Sequence, residues 1–444
     1  MRIFGALLIL FSSLACAGAQ STQRMDAVVS YYYSQHQFMG SVLLAKGDQA
    51  LFSKSYGYAD LEWQNTFTPD TKFRIGSITK QFTAACILLL QEEGKLKTSD
   101  PVSRFVPNAP AAWKDITLRN LLTHTSGIHN YTDLPDFPKK MALPAKPEEI
   151  VAPILTMPLD FAPGEKFSYS NTNYIILGMV VEKASGKPYA EFLQERIFRP
   201  LGMNDSGYET PKVVAHRATG YVYKKAVMMD AEPIDMTVPF AAGALYSTPD
   251  DLRKWSRGVF RGHLLKPESL EEMTTPFKEN YGYGVEVVTK DGHKNISHGG
   301  GINGFNSSLV YLPQEDVTIV ALSNVNGGGP DAITANFVKL FYGAPVILPN
   351  ERTEVAVPTE KLQRWTGDYQ TTLDPSITLK ISLKDGHLMA TLADQPTVEL
   401  HPETDSRFFT KEADSVVEFS RAPDGIVSIS QTQGTLKIPW TKKR

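Results

Sequence analysis

The sequence predicts an α+β fold: an antiparallel sheet flanked by helices with an inserted helical lobe, followed by a small C-terminal all-β, barrel-like domain. Three observations lead to this prediction. Strand patterns stand near both ends of the region that precedes residue 345. Helical patterns with long polar loops occupy most of residues 101–277. Short strand patterns then recur at regular spacing beyond residue 358.

Length and charge narrow the class of protein. The chain has 444 residues, which is too long for one ordinary hydrophobic core, so two domains are expected. Hydrophobic residues make up 42% and charged residues 21%, as in globular proteins. The formal net charge is −3, and no polybasic block is present apart from a short basic end at residues 442–444. We therefore expect no nucleic-acid partner.

Residues 1–19 have the pattern of a secretory signal peptide. A positive charge at position 2 precedes an apolar run, residues 3–14, that is short for a membrane span. Cleavage after Ala19 would give a secreted or periplasmic protein with no membrane span. Cleavage before Cys16 would give a lipid-anchored protein, which is disfavoured because Ser13 is polar where such signals usually carry an aliphatic residue.

The first domain opens with a helical pattern over residues 25–35 and a β-hairpin. The hairpin strands are predicted at residues 40–45 and 50–56, on either side of a Lys-Gly-Asp-Gln turn. A long helix follows over residues 78–94, with apolar side chains at helical spacing and a terminal glycine. Cys86 lies among these apolar residues and is expected to belong to the core.

The helical lobe contains two well-marked helices. One covers residues 172–185 and stops at Gly186. The other starts at Thr248, which is expected to cap it, with Pro249 as the first helical residue. The proline-rich segment 132–165 is expected to form a lid or rim loop.

Short strands return after residue 277 and complete the sheet. They are predicted at residues 283–288, 295–298, 306–312 and 317–323, and a closing helix is predicted at 331–342. Their connections are short, so the sheet is antiparallel. The first hairpin is expected to pair with the last of these strands.

The domain boundaries follow from these patterns. We place the first domain at residues 20–345, a proline-containing linker at 346–358 and the second domain at 359–444. Strands of the second domain are predicted at 377–383, 388–392, 416–419, 426–430 and 435–438. A segment of about 85 residues of this kind fits a small β-barrel or sandwich.

Ser77 and Lys80 form a Ser-x-x-Lys motif at the start of the long helix. If Ser77 is the N-cap, Lys80 falls one turn later on the same face, within reach of the hydroxyl. The Ser77 N–H would lie at the positive end of the helix, where an oxyanion is stabilised. Ser-x-x-Lys recurs in acyl-transferring serine hydrolases. The alternative is an ordinary capping serine followed by a solvated lysine.

Two further motifs accompany it. Tyr169-Ser170-Asn171 stands on a turn before a helix, where the alternative role of Asn171 is helix capping. His298 is followed by three glycines at the end of a strand. Glycines weaken a strand unless something must approach its backbone closely, and a substrate lying along that edge is one such reason. The alternative is a loose hairpin turn with a solvated histidine.

Together the three motifs resemble the β-lactamase/penicillin-binding-protein superfamily of serine hydrolases. The closest likeness is to its class-C-like branch, which includes D,D-carboxypeptidases, D-aminopeptidases and esterases. That family carries Ser-x-x-Lys, Tyr-x-Asn and a Lys/His-x-Gly strand motif in this order. Residues 121–128 and 243–248 also resemble recurring family stretches, so the resemblance covers about residues 25–342. The second domain resembles the lipocalin-like β domains that often follow such hydrolases.

The resemblance implies a role for each motif residue. Ser77 Oγ would attack an acyl carbonyl, and Lys80 and Tyr169 would share the general-base and general-acid work. A free lysine must lose about 3 pKa units to act as a base at neutral pH, whereas a Tyr169 phenolate would need the Lys80 ammonium, and the sequence leaves both open. The oxyanion would lie between the N–H groups of Ser77 and Gly301. The substrate-binding and oxyanion residues would be Asn171, which would hold the substrate amide, His298, which would complete the polar wall, Gly300 and Gly301.

These roles predict an exported serine hydrolase that acts through an acyl-Ser77 intermediate on a small peptide, including a D-amino-acid-containing one, or on an ester. His298 stands where many β-lactamases carry lysine, and a neutral imidazole attracts a substrate carboxylate less than an ammonium does. A β-lactamase or D,D-carboxypeptidase is therefore the alternative. An alternative of another class is a non-catalytic, penicillin-binding-like sensor or scaffold.

We expect neither a cofactor nor a metal. The sequence has no Gly-x-Ser-x-Gly nucleophile elbow and no His-Glu-x-x-His helix. His124 and His129 are expected to be ordinary loop histidines, since no acid or cysteine cluster accompanies them. The substrate and the oligomeric state stay open at this level.

Overall fold

The structure is a computed structural model that describes residues 21–374, 376–393, 397–411, 415–433 and 436–443. The predicted signal peptide at residues 1–19 and the disfavoured lipid anchor at Cys16 lie outside the described residues. The chain divides into two compact units, one ending at Val338 and one beginning at Lys339. Within the described residues, no helix is both long enough and apolar enough to cross a membrane.

The first unit is built on an antiparallel sheet of six strands. They are β1 (Gly40–Lys46), β2 (Gln49–Tyr56), β3 (Glu286–Lys290), β4 (His293–Ile302), β5 (Phe305–Leu312) and β6 (Val317–Ser323). Their order across the sheet is β3-β4-β5-β6-β1-β2. Strand β1 pairs with β6, with Gly40 opposite Ser323. The prediction that the first hairpin joins the last strands is therefore confirmed, and with it the α+β class.

Two predicted strands have different bounds in the structure. The strand expected at 283–288 begins at Glu286, because Gly284 has a left-handed backbone (φ +68°) that turns the chain just before it. The strand expected at 295–298 continues through all three glycines to Ile302. The glycine stretch is thus part of the sheet and not a loose turn.

The longer helices that accompany the sheet are α1 (residues 21–34), α2 (Thr79–Glu92), α3 (Asn171–Ser185), α4 (Pro249–Phe260) and α5 (Gly329–Phe341). The last three residues of α5 belong to the second unit. Helix α2 is buried over most of its length. Its Phe82 ring stacks on Trp255 of α4 with 3.8 Å between the centroids, and the Trp255 indole N–H donates to the Gln81 side chain. These contacts hold the helix that follows Ser77 in a fixed place.

Shorter elements fill the lobe and its edges. The short helices are Leu118–Leu122, Phe137–Lys140, Pro147–Val151, Tyr189–Leu193, Arg199–Leu201, Phe240–Gly243 and Pro267–Thr274, with a π-helical turn at Gln194–Phe198. One-turn 3₁₀ helices lie at Gly76–Ile78, Val102–Arg104, Ala111–Trp113, Tyr131–Asp133 and Ile154–Thr156. The short strands are Tyr58–Asp60, Asn65–Thr66, Phe73–Arg74, Gly207–Tyr208, Tyr221–Lys224, Val227–Asp230, Leu245–Ser247 and Val325–Asn326.

Helix termini agree with the sequence at two places and differ at a third. Thr248 caps α4 by accepting the Asp251 N–H, and Gly186 ends α3 with φ +73°. The predicted N-cap role of Ser77 is wrong. Helix α2 begins at Thr79, and Ser77 lies in the preceding 3₁₀ turn, where no side chain caps the helix. The serine hydroxyl is therefore available for other partners.

The second unit contains a closed eight-stranded barrel, as the sequence predicts. Its strands are β7 (Gly367–Thr371), β8 (Thr378–Lys384), β9 (His387–Leu392), β10 (Val398–Pro402), β11 (Arg407–Phe409), β12 (Ser415–Arg421), β13 (Val427–Gln433) and β14 (Leu436–Lys442). A short helix, Thr359–Gln363, precedes β7, and a 3₁₀ turn lies at Pro349–Glu351. Side chains such as Trp365, Tyr369, Phe408 and Phe419 pack in its core. The barrel is thus stabilised by its own aromatic cluster.

Candidate active site

Ser77 occupies a sharp turn between the strand Phe73–Arg74 and helix α2. The residue before it, Gly76, has φ +49°, a left-handed conformation that favours glycine. Ser77 is partly exposed, whereas its neighbours on both sides are buried. The turn therefore presents one hydroxyl at the surface of an otherwise buried segment.

Lys80 is fully buried and reaches three oxygen atoms. Its Nζ lies 2.9 Å from Ser77 Oγ, 2.9 Å from the Asn171 Oδ1 and 2.9 Å from the Ala242 carbonyl. No carboxylate forms an ion pair with Lys80 in the part of the chain that the structure describes. Burial without a compensating negative charge holds the pKa of the Lys80 ammonium well below its ordinary value.

Tyr169 completes a triangle around the serine. Its hydroxyl lies 2.8 Å from Ser77 Oγ, and its ring lies 4.8 Å from Lys80 Nζ, measured to the centroid. Burial raises the pKa of the Tyr169 phenol above its ordinary value, so the neutral phenol is favoured. Two distant segments thus bring one hydroxyl, one amine and one phenol together, with Ser77 Oγ within hydrogen-bonding distance of both other groups.

The sequence left open whether the Lys80 amine or a Tyr169 phenolate is the base, and the burial of both side chains bears on this choice. A Lys80 amine keeps two N–H groups for Asn171 and the Ala242 carbonyl, and its lone pair then faces Ser77. A buried phenol at Tyr169 resists ionisation, so it carries its proton near neutral pH and cannot readily act as a phenolate base. The electrostatics therefore favour Lys80 as the base towards Ser77 and Tyr169 as the acid.

The Gly301 N–H points away from the neighbouring strand. Only two residues connect β4 to β5, so Ile302 and Phe305 form a directly hydrogen-bonded pair. In an antiparallel ladder the next pair is not hydrogen-bonded, which turns the Gly301 N–H away from β5. Gly301 is also exposed. Its N–H is therefore available to a ligand.

The Ser77 turn and Gly301 lie close to each other. A Cβ placed on Gly76 would come within 2.9 Å of the Gly301 nitrogen. Ser77 stands in the first turn of its helical segment, where N–H groups have no partner within the helix. The two N–H groups expected from the sequence are thus neighbours and can form an oxyanion hole.

Gly300 acts at this contact as a spacer. A Cβ on Gly300 would lie 2.1 Å from the Ile75 carbonyl oxygen and 2.4 Å from Ser307 Oγ, which itself donates to that oxygen. Strand β4 therefore approaches the Ser77 turn so closely that only glycine fits. The close approach that Gly300 permits is thus that of the protein's own chain.

His298 is buried, and both of its ring nitrogens are engaged. Nδ1 donates to the Gly299 carbonyl, which can only accept, so Nε2 is the acceptor of the Tyr281 hydroxyl at 2.8 Å. Burial, with a smaller contribution from Lys80, lowers the pKa of His298 to about 4. His298 is therefore neutral near pH 7 and has no ring nitrogen free for a substrate in this arrangement.

Asn171 stands at the first residue of α3, and its side chain does not cap the helix. Its Oδ1 accepts from Lys80, and its backbone N–H donates to the Asn130 side chain at 3.0 Å. The Asn171 amide nitrogen is thus the part of this side chain left to meet a substrate. The helix N-terminus and the lysine fix its orientation together.

The proline-rich segment 132–165 reaches the turn that follows Gly301. Its Met141 carbonyl accepts the Asp235 N–H at 2.9 Å. Asn303, in the turn between β4 and β5, donates to the Glu232 carbonyl at 2.9 Å and lies against the Met141 sulfur. A cavity of about 500 Å³ opens beside these contacts and is lined by Gly301 among others. Space for a substrate therefore adjoins the proposed oxyanion donor.

Sequence reasoning missed three parts of the site. The Ala242 carbonyl and the Ser307 hydroxyl carry no local signal, because their roles arise only from contacts with distant segments. Tyr281 stands in a Tyr-Gly-Tyr-Gly stretch, and glycines beside an aromatic residue could have indicated a special backbone there. Among the described residues, no group of three or more His, Cys, Asp or Glu side chains could hold a metal ion.

The beta-lactamase family model matches residues 23–344 of the chain. The chain belongs to the beta-lactamase family. The resemblance inferred from the three motifs is thereby confirmed, and the protein is a serine hydrolase.

Two known proteins resemble the chain over most of its length, including parts of both units. Penicillin-binding protein 4* of Bacillus subtilis (strain 168) is 29% identical over 421 residues, which is 89% of this chain and 92% of that protein. An octameric penicillin-binding protein homologue from Pyrococcus abyssi is similar in structure, with a TM-score of 0.68 and 26% identity, covering 95% of this chain and 99% of that one.

A D-amino acid amidase from Ochrobactrum anthropi SV3 resembles a smaller part. Its TM-score is 0.63 at 25% identity, and the match covers 73% of this chain and 98% of that one. Proteins similar to this chain thus include an amidase as well as penicillin-binding proteins.

Proposed function

We propose that the protein is an exported serine hydrolase that cleaves a small peptide amide, including one built on a D-amino acid, or an ester, through an acyl-Ser77 intermediate. One observation supports this above all: Ser77 Oγ lies within 2.9 Å of Lys80 Nζ and within 2.8 Å of the Tyr169 hydroxyl. The side chains that we propose as nucleophile, base and acid thus meet at one atom, Ser77 Oγ.

Acylation begins with proton transfer from the Ser77 hydroxyl to the neutral Lys80 amine. Ser77 Oγ forms a bond to the acyl carbon, and the carbonyl π electrons move to the oxygen, which the N–H groups of Ser77 and Gly301 stabilise. The bond to the leaving group then breaks, and the Tyr169 phenol protonates the departing amine or alkoxide. The Lys80 ammonium returns a proton to Tyr169. Each N–H donor to the oxyanion is worth about 10²–10³ in rate.

Deacylation repeats these transfers with water as the nucleophile. Lys80 accepts a proton from the attacking water, and the new C–O bond forms as the oxyanion returns to the same two N–H groups. Ser77 Oγ leaves and takes up the proton that Lys80 accepted from water. Ser77 and Lys80 therefore serve both halves of the reaction.

The substrate class follows from the charges of the cleft. A β-lactam or a D-Ala-D-Ala peptide carries a carboxylate that a cation on the β4 strand would hold, whereas His298 is neutral and engaged with Tyr281 and Gly299. The likeness to a D-amino acid amidase supports an amide substrate. We therefore place amides and esters ahead of β-lactams.

A substrate panel tests the proposal. D-aminoacyl amides, D-Ala-D-Ala peptides, short p-nitrophenyl esters and nitrocefin are offered to the wild type and to the Ser77→Ala variant. We expect turnover of amides or esters that the variant abolishes. Rapid hydrolysis of nitrocefin without turnover of amides or esters would place β-lactams ahead of amides and esters. No turnover of any compound in the panel would favour the non-catalytic sensor.

Export is a separate part of the proposal. The apolar segment at residues 3–14 and the small residues before position 20 support removal of a signal peptide. N-terminal sequencing of the protein from the medium or periplasm is expected to start at Gln20. A retained Met1, or a lipid-modified Cys16, would contradict it.

A further inference from the structure

His124 is buried directly behind the catalytic tyrosine. The side chain is 0% exposed, and its backbone has φ +53°, a left-handed conformation that few non-glycine residues adopt. Residues held in such conformations concentrate at functional sites, where the surrounding structure enforces them. The position of this histidine therefore differs from that of the ordinary loop residue expected from the sequence.

The chain segment that carries Tyr169 is held by His124 on both sides. The His124 carbonyl accepts the Ser168 N–H at 2.9 Å, and His124 Nδ1 accepts the Ser170 N–H at 3.2 Å. The imidazole also packs on the Tyr169 ring, with 4.3 Å between the centroids and 35° between the planes. One residue thus contacts the residue before Tyr169, the residue after it and the ring itself.

The second ring nitrogen shows that this arrangement is not simple packing. Because Nδ1 accepts a hydrogen bond, the proton of the neutral ring is on Nε2. The Nε2 atom is buried and has no hydrogen-bond partner within the described residues. The ring is surrounded by the aromatic side chains of Phe167, Tyr169, Tyr174 and Tyr281. A leucine or phenylalanine would fill such a space without leaving a polar atom unpaired.

We propose that His124 is a positioning residue that holds the Tyr169 hydroxyl against Ser77 Oγ. The inference rests on the proposed function, since it assigns His124 a role only through the phenol of that reaction. The hydrogen bonds from the Ser168 and Ser170 N–H groups fix the position of the Tyr169 backbone, and the ring contact fixes the plane of the phenol. The Tyr169–Ser77 distance of 2.8 Å depends on both. Burial keeps the pKa of His124 well below its ordinary value, so the ring stays neutral while it does this.

Two variants separate the ring contact with Tyr169 from the hydrogen bond that the ring accepts from the Ser170 N–H. His124→Phe keeps an aromatic ring beside Tyr169 and removes the acceptor for Ser170. His124→Asn removes the ring, restores an acceptor near the position of Nδ1 and tolerates the left-handed backbone. His129→Gln is the matched control, since His129 is in the same loop and its Nδ1 pairs with Asp160 at 3.2 Å, away from Tyr169 in sequence and role.

The measured quantity is the rate of Ser77 acylation by a p-nitrophenyl ester, together with KM and the thermal unfolding midpoint. A displacement of about 1 Å at a reacting group can cost about 10² in rate. We therefore expect His124→Phe to slow acylation by about 100-fold and His124→Asn by about 10-fold, with KM unchanged, and His129→Gln to stay within about twofold. The Asn variant keeps the test decisive if His124→Phe fails to fold.

A double-variant cycle distinguishes positioning of the phenol from general support of the fold. In a Tyr169→Phe background the His124→Asn change should slow acylation by less than about threefold, because the group it positions is gone. An equal loss in both backgrounds, or rates of both His124 variants within about threefold of the wild type, would overturn the inference. If the wild type itself forms no acyl-Ser77, the proposed function fails instead, and this inference falls with it.

Discussion

Replacing Gly300 with alanine should separate the Ser77 and Gly301 N–H groups, which we propose as the two oxyanion donors. The new Cβ would lie 2.1 Å from the Ile75 carbonyl oxygen, whereas ordinary contact begins at 3.4 Å, so strand β4 must retreat by 3.4 − 2.1, or about 1.3 Å. The Ile75 oxygen belongs to the backbone just before Ser77 and cannot move aside by rotation. Gly301, the next residue, would then carry its N–H away from the oxyanion.

The loss of one such donor costs about 10²–10³ in rate, or about 2.7–4 kcal/mol. We therefore expect a fluorophosphonate to label Ser77 of the Gly300→Ala variant about 10²–10³ times more slowly than Ser77 of the wild type. Gly299→Ala is the matched control, because its Cβ meets the movable Asp331 carboxylate at 3.3 Å and should change the rate by less than about threefold. A folded Gly300→Ala protein that labels within about tenfold of the wild type would refute the reasoning.

Three further predictions concern single residues. The rate at which the fluorophosphonate labels Ser77 should rise with pH as Lys80 loses its proton. Because burial lowers the pKa of Lys80, the midpoint of this rise should fall well below the ordinary lysine value of 10.5. A midpoint at 10.5 would contradict the assignment of Lys80 as the base. His298, whose pKa burial lowers to about 4, should give no inflection of that profile between about pH 5 and 8. Thr248→Ala should lower the free energy of unfolding in urea by about 1 kcal/mol without changing kcat, and an unchanged unfolding midpoint would show that the cap is dispensable.

Local patterns were sufficient to predict much of the fold. Hairpin turns, helix stop signals and the Thr248 cap are encoded within a few residues of where they act, so the sequence shows them directly. The pairing of β1 with β6 could also be inferred, because an antiparallel sheet must place its first hairpin beside some later strand. The resemblance of the motifs to those of the family then predicted that Ser77, Lys80 and Tyr169 share one site.

The details of the site depended on contacts between distant segments. The sequence placed Ser77 as a helix cap, but the left-handed Gly76 ends the strand in a 3₁₀ turn that frees the hydroxyl. It placed His298 on the substrate side of the cleft, whereas Tyr281 and the Gly299 carbonyl occupy both ring nitrogens. Such arrangements arise from tertiary packing, which no local pattern records.

The central claim is that Ser77 becomes acylated because Lys80 removes its proton. It is tested most directly by intact-mass measurement of the protein quenched during turnover of a slow p-nitrophenyl ester, followed by peptide mapping. We predict one acyl adduct on Ser77 in the wild type and its loss in folded Lys80→Met. An adduct on another residue, or undiminished acylation of Ser77 in folded Lys80→Met, would contradict the account.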